Sequence, residues 1–342
     1  MKEYIDSKKD EIIEEIKNIV SFKSISEEGG PDGMPFGEEC KKALDYVLNL
    51  GEKLGFRTKN LNGYCGYIEF GEGEEMVGII GHLDVVPANI EDGWTSLPFA
   101  AEVRGNKLYG RGTIDDKGPV IASLYAMKAV MEKSNVNKRV RLILGLNEEK
   151  NWQCINYYKQ NEEIPTIGFS PDADFPCIYA EKGIITIKLE HDFYIDGAEI
   201  LEVSCGGNAI NVVPKYCMIR LKLNNPEDIN KYQNRDGVYI EKISKDTIKL
   251  IATGKASHAA HPDLGDNAIV KLLNYFNDNQ YINELKNSGF FEIESPKCFG
   301  GFETVDESGV LTSNIGIIKY ENGKLQLYTN LRVPVETNFD RI

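Results

Sequence analysis

The sequence predicts an α/β protein in two parts, a layered domain with a mostly parallel sheet followed by an α+β domain with an antiparallel sheet. Up to Gly183, apolar strand-like runs alternate with helical patterns, which is typical of helices layered on a largely parallel sheet. Beyond that point most segments alternate between polar and apolar residues, which is typical of antiparallel strands. A chain of 342 residues is long enough for two domains.

The first part is predicted to contain helices and strands in turn. The helical patterns lie near 5–21, 37–54, 118–133 and 152–160. The strand-like runs lie at 64–70, 76–81, 139–146 and 166–169. Ligands of such sheets bind beyond the carboxyl ends of the strands, so the residues that follow each run are candidates for function.

The second part is predicted to contain mainly strands. The alternating segments are GIITIKLEHDFYI, AEILEVSC, YCMIRLKL, DTIKLIATGKA, SNIGIIKY and KLQLYTNLRV. Helical segments are predicted near 226–234 and 266–287. The change of pattern places the boundary near Gly183, which gives predicted domains of 1–183 and 184–342.

The charge balance restricts the partners that this chain can bind. It has 39 Lys and Arg against 53 Asp and Glu, a net charge of −14, whereas nucleic acid and anionic membranes require basic patches. No stretch approaches the roughly 20 apolar residues of a membrane span, and the N-terminus lacks the apolar core of a signal peptide. The seven cysteines include no CxxC pair, which is typical of reduced thiols. We therefore expect a cytoplasmic protein that binds neither nucleic acid nor membranes.

A histidine and an aspartate follow one of the buried runs. The stretch GIIGHLDVVP contains His82 and, two residues later, Asp84, which share a face if the strand continues. A metal-bound imidazole usually donates its other N–H to a carboxylate or carbonyl. Taken alone, the pair is more simply explained as a buried histidine beside a turn aspartate, because a metal site needs several ligands.

Three further strand ends carry acidic residues. Asp115 and Asp116 precede a helix in GRGTIDDKGP, where helix capping is an alternative explanation. Glu148 and Glu149 follow the run LILGLN, where the alternative is the acidic first turn of the next helix. Asp172 lies in FSPDADFP, a sequence that also fits an ordinary turn.

Taken together, these four strand ends predict a metal site. The carboxyl ends of parallel strands meet at one edge of the sheet, and several carboxylates there would repel one another in the absence of a cation. Imidazole and carboxylate ligands without thiolate suit Zn²⁺ or Mn²⁺ in a hydrolytic site. The sequence therefore predicts that His82 binds a metal ion.

The same motifs resemble those of a known family. GHLDVVP, GRGTIDDKGP, the paired glutamates of NEEKNW, and PDADFP followed by EKG occur in the order and at the spacings of the M20 metallopeptidases, and they are most similar to the PepV-like dipeptidases. The resemblance covers essentially the whole chain. It implies a catalytic domain over 1–183, a lid domain over 184–342, a small peptide substrate, two Zn²⁺ sites with Mn²⁺ as an alternative, and a monomer or homodimer.

The resemblance also implies a role for each polar residue of the first domain. Its implied metal ligands are His82 and Asp172 for one ion, Glu149 for the other, and Asp115 as the bridge between them. Glu148 would be the general base, and Asp84 would orient the histidine. The family's peptide bond after the bridging aspartate is cis, so the Asp115–Asp116 bond is expected to be cis.

In the second domain, the resemblance implies three residues that act on the substrate. GGNAINVVP matches the lid motif whose asparagine helps to hold the substrate, here Asn211. GKASHAAHP matches the segment whose histidine polarises the scissile carbonyl, here His258. NLRVPV matches the arginine that binds the substrate's terminal carboxylate, here Arg332. Arginine suits this role, although a strand arginine taken alone is more often simply exposed.

Two features depart from the family pattern. Members of the family continue beyond the point where this chain ends and contribute a further histidine ligand, whereas the histidines here are His82, His191, His258 and His261. We therefore expect a truncated chain in which the second metal ion binds weakly and activity is impaired. In addition, Leu146 and Asn147 replace the family's usual Thr-Asp before the paired glutamates.

The sequence leaves two other functions open. One is an amidohydrolase of the same family that acts on N-acyl amino acids rather than on dipeptides. The other is an inactive, truncated relative that binds metal or peptide without turnover.

Overall fold

A computed structural model describes residues 1–90, 93–174, 176, 178–205, 209–278 and 305–338. The chain forms two compact units, Met1–Cys177 and Ile178–Ile342, here called unit 1 and unit 2. Unit 1 has a mixed sheet of mostly parallel strands and unit 2 has separate antiparallel sheets, so the predicted fold class is confirmed. The limits of a catalytic and a lid domain at residue 183 stay a prediction.

Unit 1 interleaves helices and strands. Its helices are α1 (Lys2–Ser7), α2 (Lys9–Val20), α3 (Glu38–Lys53), α4 (Lys117–Lys133) and α5 (Gln153–Asn161). Its strands are β1 (Arg57–Leu61), β2 (Cys65–Phe70), β3 (Met76–His82), β4 (Glu102–Arg104), β5 (Lys107–Tyr109), β6 (Arg139–Gly145) and β7 (Ile167–Phe169).

The main sheet of unit 1 has the strand order β1-β2-β6-β3-β7. The β3 strand is parallel to both β6 and β7, whereas β2 is antiparallel to its two neighbours. All strands except β2 therefore run in one direction. His82 at the end of β3 is opposite Gly145 at the end of β6, and Phe169 at the end of β7 is opposite Ile79. The residues after these three strands consequently leave the sheet at the same edge.

The core of unit 1 lies between this sheet and its helices. The α3 helix packs against β1 and β2, and α4 packs against β3 and β6. Leu44, Ile68, Leu124 and Leu142 are fully buried in this core. Burial of such side chains stabilises the fold by about 1.5–3 kcal/mol each, and it holds fixed the strands whose ends carry the polar residues.

Some elements of unit 1 differ from the sequence prediction. The predicted helix over 5–21 is divided at Lys8, which separates α1 from α2. The β1 and β4 strands were not predicted, whereas β5 is the short strand expected before the GRGTIDDKGP motif. The β1 sequence RTKNL buries only Leu61, so it lacks the apolar alternation by which a strand is recognised.

Unit 2 is built mainly from strands. They are β8 (Gly183–Asp192), β9 (Ala198–Cys205), β10 (Tyr216–Leu223), β11 (Val238–Lys242), β12 (Thr247–Thr253), β13 (Val305–Asp306), β14 (Gly309–Val310), β15 (Thr312–Glu321) and β16 (Lys324–Val333). Among the described residues of unit 2, the helices are α6 (Ala268–Asp278) and two 3₁₀ segments, Pro226–Lys231 and Pro262–Leu264.

The part of unit 2 that the structure describes has two larger sheets, in the orders β11-β12-β10-β9 and β15-β16-β8, both antiparallel throughout. The α6 helix packs against β12, β10 and β15. The helix predicted near 226–234 is a short 3₁₀ segment. The helix predicted over 266–287 begins at Ala268, and its last nine positions lie outside the described residues.

Within the described part of the chain, no helix combines the length and the apolar character that crossing a membrane requires.

Candidate metal centre

His82 presents one ring nitrogen to a group of carboxylates. The side chain is 2% exposed at the end of β3, and its Nδ1 lies 2.9 Å from the backbone oxygen of Asp84. Because a carbonyl oxygen only accepts hydrogen bonds, Nδ1 carries a proton, and Nε2 is the ring nitrogen that faces the site. This is the arrangement that orients a metal-binding histidine.

Three carboxylates surround this nitrogen. The Nε2 atom lies 2.9 Å from Asp115 Oδ1, 3.4 Å from Asp172 Oδ2 and 3.9 Å from Glu148 Oε2. They come from the loop before α4, the segment after β7 and the segment after β6. Their convergence follows from the shared direction of β3, β6 and β7.

The donor atoms form two groups that each fit a cation. One consists of His82, Asp115 and Glu149, and the other of His82, Glu148 and Asp172. Within each group the donor atoms lie within 4.8 Å of one another. Metal–ligand bonds of about 2.0–2.2 Å place neighbouring donors about 3–4 Å apart. The described residues therefore offer a possible metal-binding site.

The electrostatics of the site also favour a cation. Burial, together with the nearby Asp115, raises the pKa of Glu149 to about 7. Burial raises the pKa of Glu148 as well, where the opposing effect of His82 is smaller. Burial disfavours the charged imidazole, yet the hydrogen bonds to the surrounding aspartates outweigh it and raise the pKa of His82. The protonated imidazole thus balances part of the negative charge of these carboxylates, and a divalent ion bound there would take its place.

Asp84 holds in place both His82 and the paired glutamates. Its side chain is fully buried, and its Oδ1 and Oδ2 accept the backbone N–H groups of Glu148 and Glu149, each at 3.1 Å. Its own carbonyl accepts from His82, while its carboxylate lies farther from the imidazole, at 3.4 Å. The orientation of His82 is therefore set mainly by the backbone of Asp84, and the carboxylate fixes the paired glutamates.

A second buried layer supports the loop that carries these glutamates. Asn147 is fully buried; its Nδ2 donates to Ser26 Oγ at 2.9 Å, and its Oδ1 accepts from the backbone N–H of Gln153 at 3.1 Å. Ser24 Oγ donates to the carbonyl of Leu83 at 2.6 Å. The sequence marked Asn147 only as a departure from the family, and the two serines gave no signal because serine is common in loops.

The Asp115–Asp116 peptide bond is cis, as expected. Asp116 is fully buried, and its Oδ2 accepts the backbone N–H of His82 at 3.0 Å. Burial raises the pKa of Asp116 to about 8. A Cβ atom at Gly81 would lie 2.5 Å from this same oxygen. The contact between Asp116 and β3 therefore requires a glycine at position 81.

The candidate residues of unit 2 include two that lie side by side. Val212, next to Asn211, pairs with His258 in an isolated bridge, and the carbonyl of Asn211 accepts the N–H of Ala259 at 2.8 Å. The N–H of Ala260 donates to His258 Nδ1 at 3.2 Å. The proton of the neutral imidazole therefore lies on Nε2, which can act as a hydrogen-bond donor.

Asn314 is a buried residue that the sequence analysis missed. It is 1% exposed, and its Nδ2 donates to the carbonyls of Ile210 at 3.2 Å and Val212 at 3.0 Å, on either side of Asn211. Its Oδ1 accepts from Asn267 Nδ2 at 3.2 Å. A polar residue on the inward face of β15 was the only available signal. Asn314 fixes the backbone that carries Asn211.

Arg332 lies on β16, the central strand of its sheet. Its Nε donates to Asn330 Oδ1 at 3.0 Å, and burial lowers the pKa of its guanidinium group. Partial burial also lowers the pKa of His258, and the charges of Arg332 and His261 contribute to that shift. Arg332 thus supplies positive charge beside a His258 side chain that favours its neutral form.

An α/β unit whose strand ends gather imidazole and carboxylate donors is the arrangement of a metal-dependent hydrolase. A model of the peptidase family M20/M25/M40 matches residues 78–278. The chain is also 38% identical to "Putative dipeptidase YtjP" of Bacillus subtilis (strain 168), over 96% of this chain and 74% of that protein. The chain belongs to peptidase family M20/M25/M40, and it is a hydrolase that acts on peptide bonds.

Other similar proteins are also named as dipeptidases. A Staphylococcus aureus (strain MW2) protein, also named as a putative dipeptidase, is 34% identical over 99% of this chain and 76% of its own length. Among solved structures, human carnosine dipeptidase 1 has a TM-score of 0.50 at 16% identity, over 99% of this chain and 73% of that one. The dipeptidase Dug1p of Saccharomyces cerevisiae has a TM-score of 0.51 at 13% identity, over 99% and 72%. These two structures show the shared fold.

Proposed function

We propose that this protein is a metal-dependent dipeptidase whose unit 1 binds two divalent ions, Zn²⁺ or Mn²⁺. The observation that carries the proposal is the convergence of His82 with four carboxylates in two groups that share the imidazole. Asp115 would bridge the ions, Asp172 would join His82 on one of them, and Glu149 would bind the other. Bound divalent ions supply an activated water molecule and polarise the peptide carbonyl.

Glu148 is proposed as the general base and acid. Burial raises the pKa of its carboxyl group, which strengthens the carboxylate as a proton acceptor. The backbone N–H of Glu148 donates to Asp84, which fixes the position of the main chain that carries the Glu148 carboxylate. Glu148 would remove the proton from the attacking water and donate it to the leaving amine.

Unit 2 is proposed to recognise the substrate. The Nε2–H of His258 would donate a hydrogen bond to the oxygen of the scissile carbonyl as negative charge develops there. The Arg332 guanidinium would pair with the free carboxylate of the dipeptide, and Asn211 would hydrogen-bond the substrate. Because the protein would require a free carboxylate close to the scissile bond, it would favour dipeptides over internal bonds of longer peptides.

The ion on Glu149 is proposed to bind more weakly than the ion on Asp172. His82 is the sole histidine of unit 1 by sequence, and its one nitrogen that faces the site can bind only one of the two ions. Imidazole is a strong ligand for Zn²⁺ and Mn²⁺ sites of this kind. We therefore expect activity to be reduced at low metal concentration. We also propose that the protein acts in the cytoplasm, as a monomer or homodimer.

The test is hydrolysis of dipeptides by the chelator-treated chain after stepwise addition of Zn²⁺ or Mn²⁺. We expect turnover to rise with metal, and we expect dipeptides to be cleaved faster than N-acyl amino acids of the same side chain. The Asp115→Asn chain, which loses the bridging charge, should remain inactive over the same titration.

Each alternative outcome has a distinct meaning. Preference for N-acyl amino acids would replace the dipeptidase proposal with the amidohydrolase. Metal binding by calorimetry without turnover of either substrate would indicate a relative that binds metal but does not catalyse. Equal activity before and after complete metal removal would overturn the metal-dependent mechanism.

A further inference from the structure

Two cysteines of unit 2 lie directly opposite each other on neighbouring strands. Cys205 is the last residue of β9 and Cys217 is the second residue of β10. The two residues are partners in the antiparallel register. Cys205 Sγ donates to the carbonyl of Tyr216, the residue before Cys217, at 3.3 Å.

This placement satisfies the geometry of a disulfide. Directly opposite residues of antiparallel strands have Cα atoms about 4.5–5.5 Å apart, and Cα atoms joined by a disulfide are about 4.4–6.8 Å apart. A bond between the two sulfur atoms therefore requires no displacement of β9 from β10. Side-chain rotation alone brings the thiols together.

The two thiols also differ in a way that assigns their roles. Cys205 is partly exposed, and the hydrogen bond from the Cys217 thiol lowers the pKa of Cys205. Cys217 is fully buried and its pKa is raised. Cys40 and Cys65 are also buried, and burial raises the pKa of each to about 12. Since the thiolate is the nucleophile, Cys205 is the reactive member of the pair.

We propose that Cys205 and Cys217 form a thiol–disulfide exchange site that reacts with low-molecular-weight disulfides. The Cys205 thiolate attacks one sulfur of the small disulfide, which releases one small thiol and leaves a mixed disulfide on Cys205. The Cys217 thiol then loses its proton and attacks Cys205 Sγ, which releases the second small thiol. The protein loses two hydrogen atoms, and the small disulfide gains them as two thiols.

The experiment treats the folded, full-length chain with glutathione disulfide and maps its peptides under non-reducing conditions. We expect a Cys205–Cys217 linked peptide and a chain lighter by two hydrogen atoms. Cys65 and Cys154, which are fully buried, serve as internal controls in the same digest and should stay reduced. We expect Cys205 to react at least about tenfold faster than either of them.

Two variants separate the steps. The Cys217→Ser chain should stop at a glutathione adduct on Cys205, because the resolving thiol is absent. The Cys205→Ser chain should show neither the adduct nor a linked peptide. A wild-type chain that keeps both thiols reduced, or that accumulates the adduct without forming the linked peptide, would overturn the proposal. The wild-type map decides the question even if a variant fails to fold.

Discussion

Units 1 and 2 gather opposite charges around their candidate residues. In unit 1, burial and then the charge of Asp115 raise the pKa of Glu149. In unit 2, Arg332 and His261 add to the burial that lowers the pKa of His258. Groups of like charge that destabilise their own ionised forms are typical of binding sites. This contrast supports the proposals that unit 1 binds a cation and that unit 2 binds the carboxylate of the substrate.

The two groups also arise from different local structure. In unit 1 the polar residues follow strands that run in one direction, so a single edge of the sheet collects them. In unit 2 they depend on long-range pairs, such as Val212 with His258 and Asn314 with the carbonyls beside Asn211. We expect substitutions in unit 1 to affect metal and chemistry, and substitutions in unit 2 to affect KM.

The largest effect is expected within unit 1, between the paired glutamates. Glu148→Gln removes the proposed base, so kcat should fall by about 10²–10⁴-fold, while metal content stays unchanged. Glu149→Gln removes a ligand, so it should lower metal content first and recover activity when excess metal is added. The measurements are kcat and bound metal per chain. Equal metal loss in both variants would contradict the division of roles.

Asp84→Ala is expected to weaken metal binding by about 10–100-fold, the usual cost of losing a residue that orients the ligands. It leaves the N–H groups of Glu148 and Glu149 without their acceptor. Titration of the chelator-treated chain with Zn²⁺ measures the change. Asp84→Asn keeps one acceptor oxygen, so its Zn²⁺ affinity should lie between those of the wild type and the Asp84→Ala chain. A wild-type affinity in the Asp84→Ala chain would refute the proposal that Asp84 holds the two glutamates in place.

Arg332→Met is expected to raise KM for dipeptides by about 10–100-fold, because a hydrogen bond to a charged group contributes about 1.5–3 kcal/mol. Metal content should not change, since the arginine belongs to unit 2. A dipeptide with an amidated C-terminus is the matched control. The wild type should hydrolyse this amidated dipeptide poorly, and the variant should show no further rise in KM for it. If the substitution raises KM equally for the free and the amidated dipeptide, Arg332 does not bind the carboxylate.

Metal affinity is expected to depend on pH in one direction. The pKa of Glu149 is raised from 4.5 to about 7, so at lower pH a proton occupies the carboxylate and competes with the ion. The metal affinity should therefore be about tenfold weaker at about pH 6 than at about pH 8. The raised pKa of His82 acts in the same direction. Glu149→Gln should flatten this dependence, and an affinity that rises toward acid pH would contradict it.

The smallest effect is expected for Asn314→Ala. It removes the donor to the two carbonyls beside Asn211, and a neutral hydrogen bond contributes about 1 kcal/mol. We expect KM to rise about fivefold, with kcat and metal content nearly unchanged. Asn225→Ala is the control, because Asn225 caps the 3₁₀ segment at Pro226 elsewhere in unit 2. Equal effects of the two variants on KM would show general destabilisation instead.

The sequence selected the donor residues of unit 1 because each follows an apolar run or precedes a helix. Their roles remain predictions. It could not reveal β1, whose exposed polar residues show no alternation, or the division of the first helix at Lys8. It also could not reveal Ser24, Ser26 or Asn314, because a hydrogen bond between residues far apart in the chain leaves no local pattern.

Gly81 contributes no functional group, yet its small size is as necessary as the chemistry of its neighbour His82. An added Cβ would lie 2.5 Å from Asp116 Oδ2 and 2.6 Å from a methyl group of Val120. In a deep mutational scan, even alanine at this position should score like the loss of a ligand. A search for active-site residues that considers only reactive side chains would overlook it.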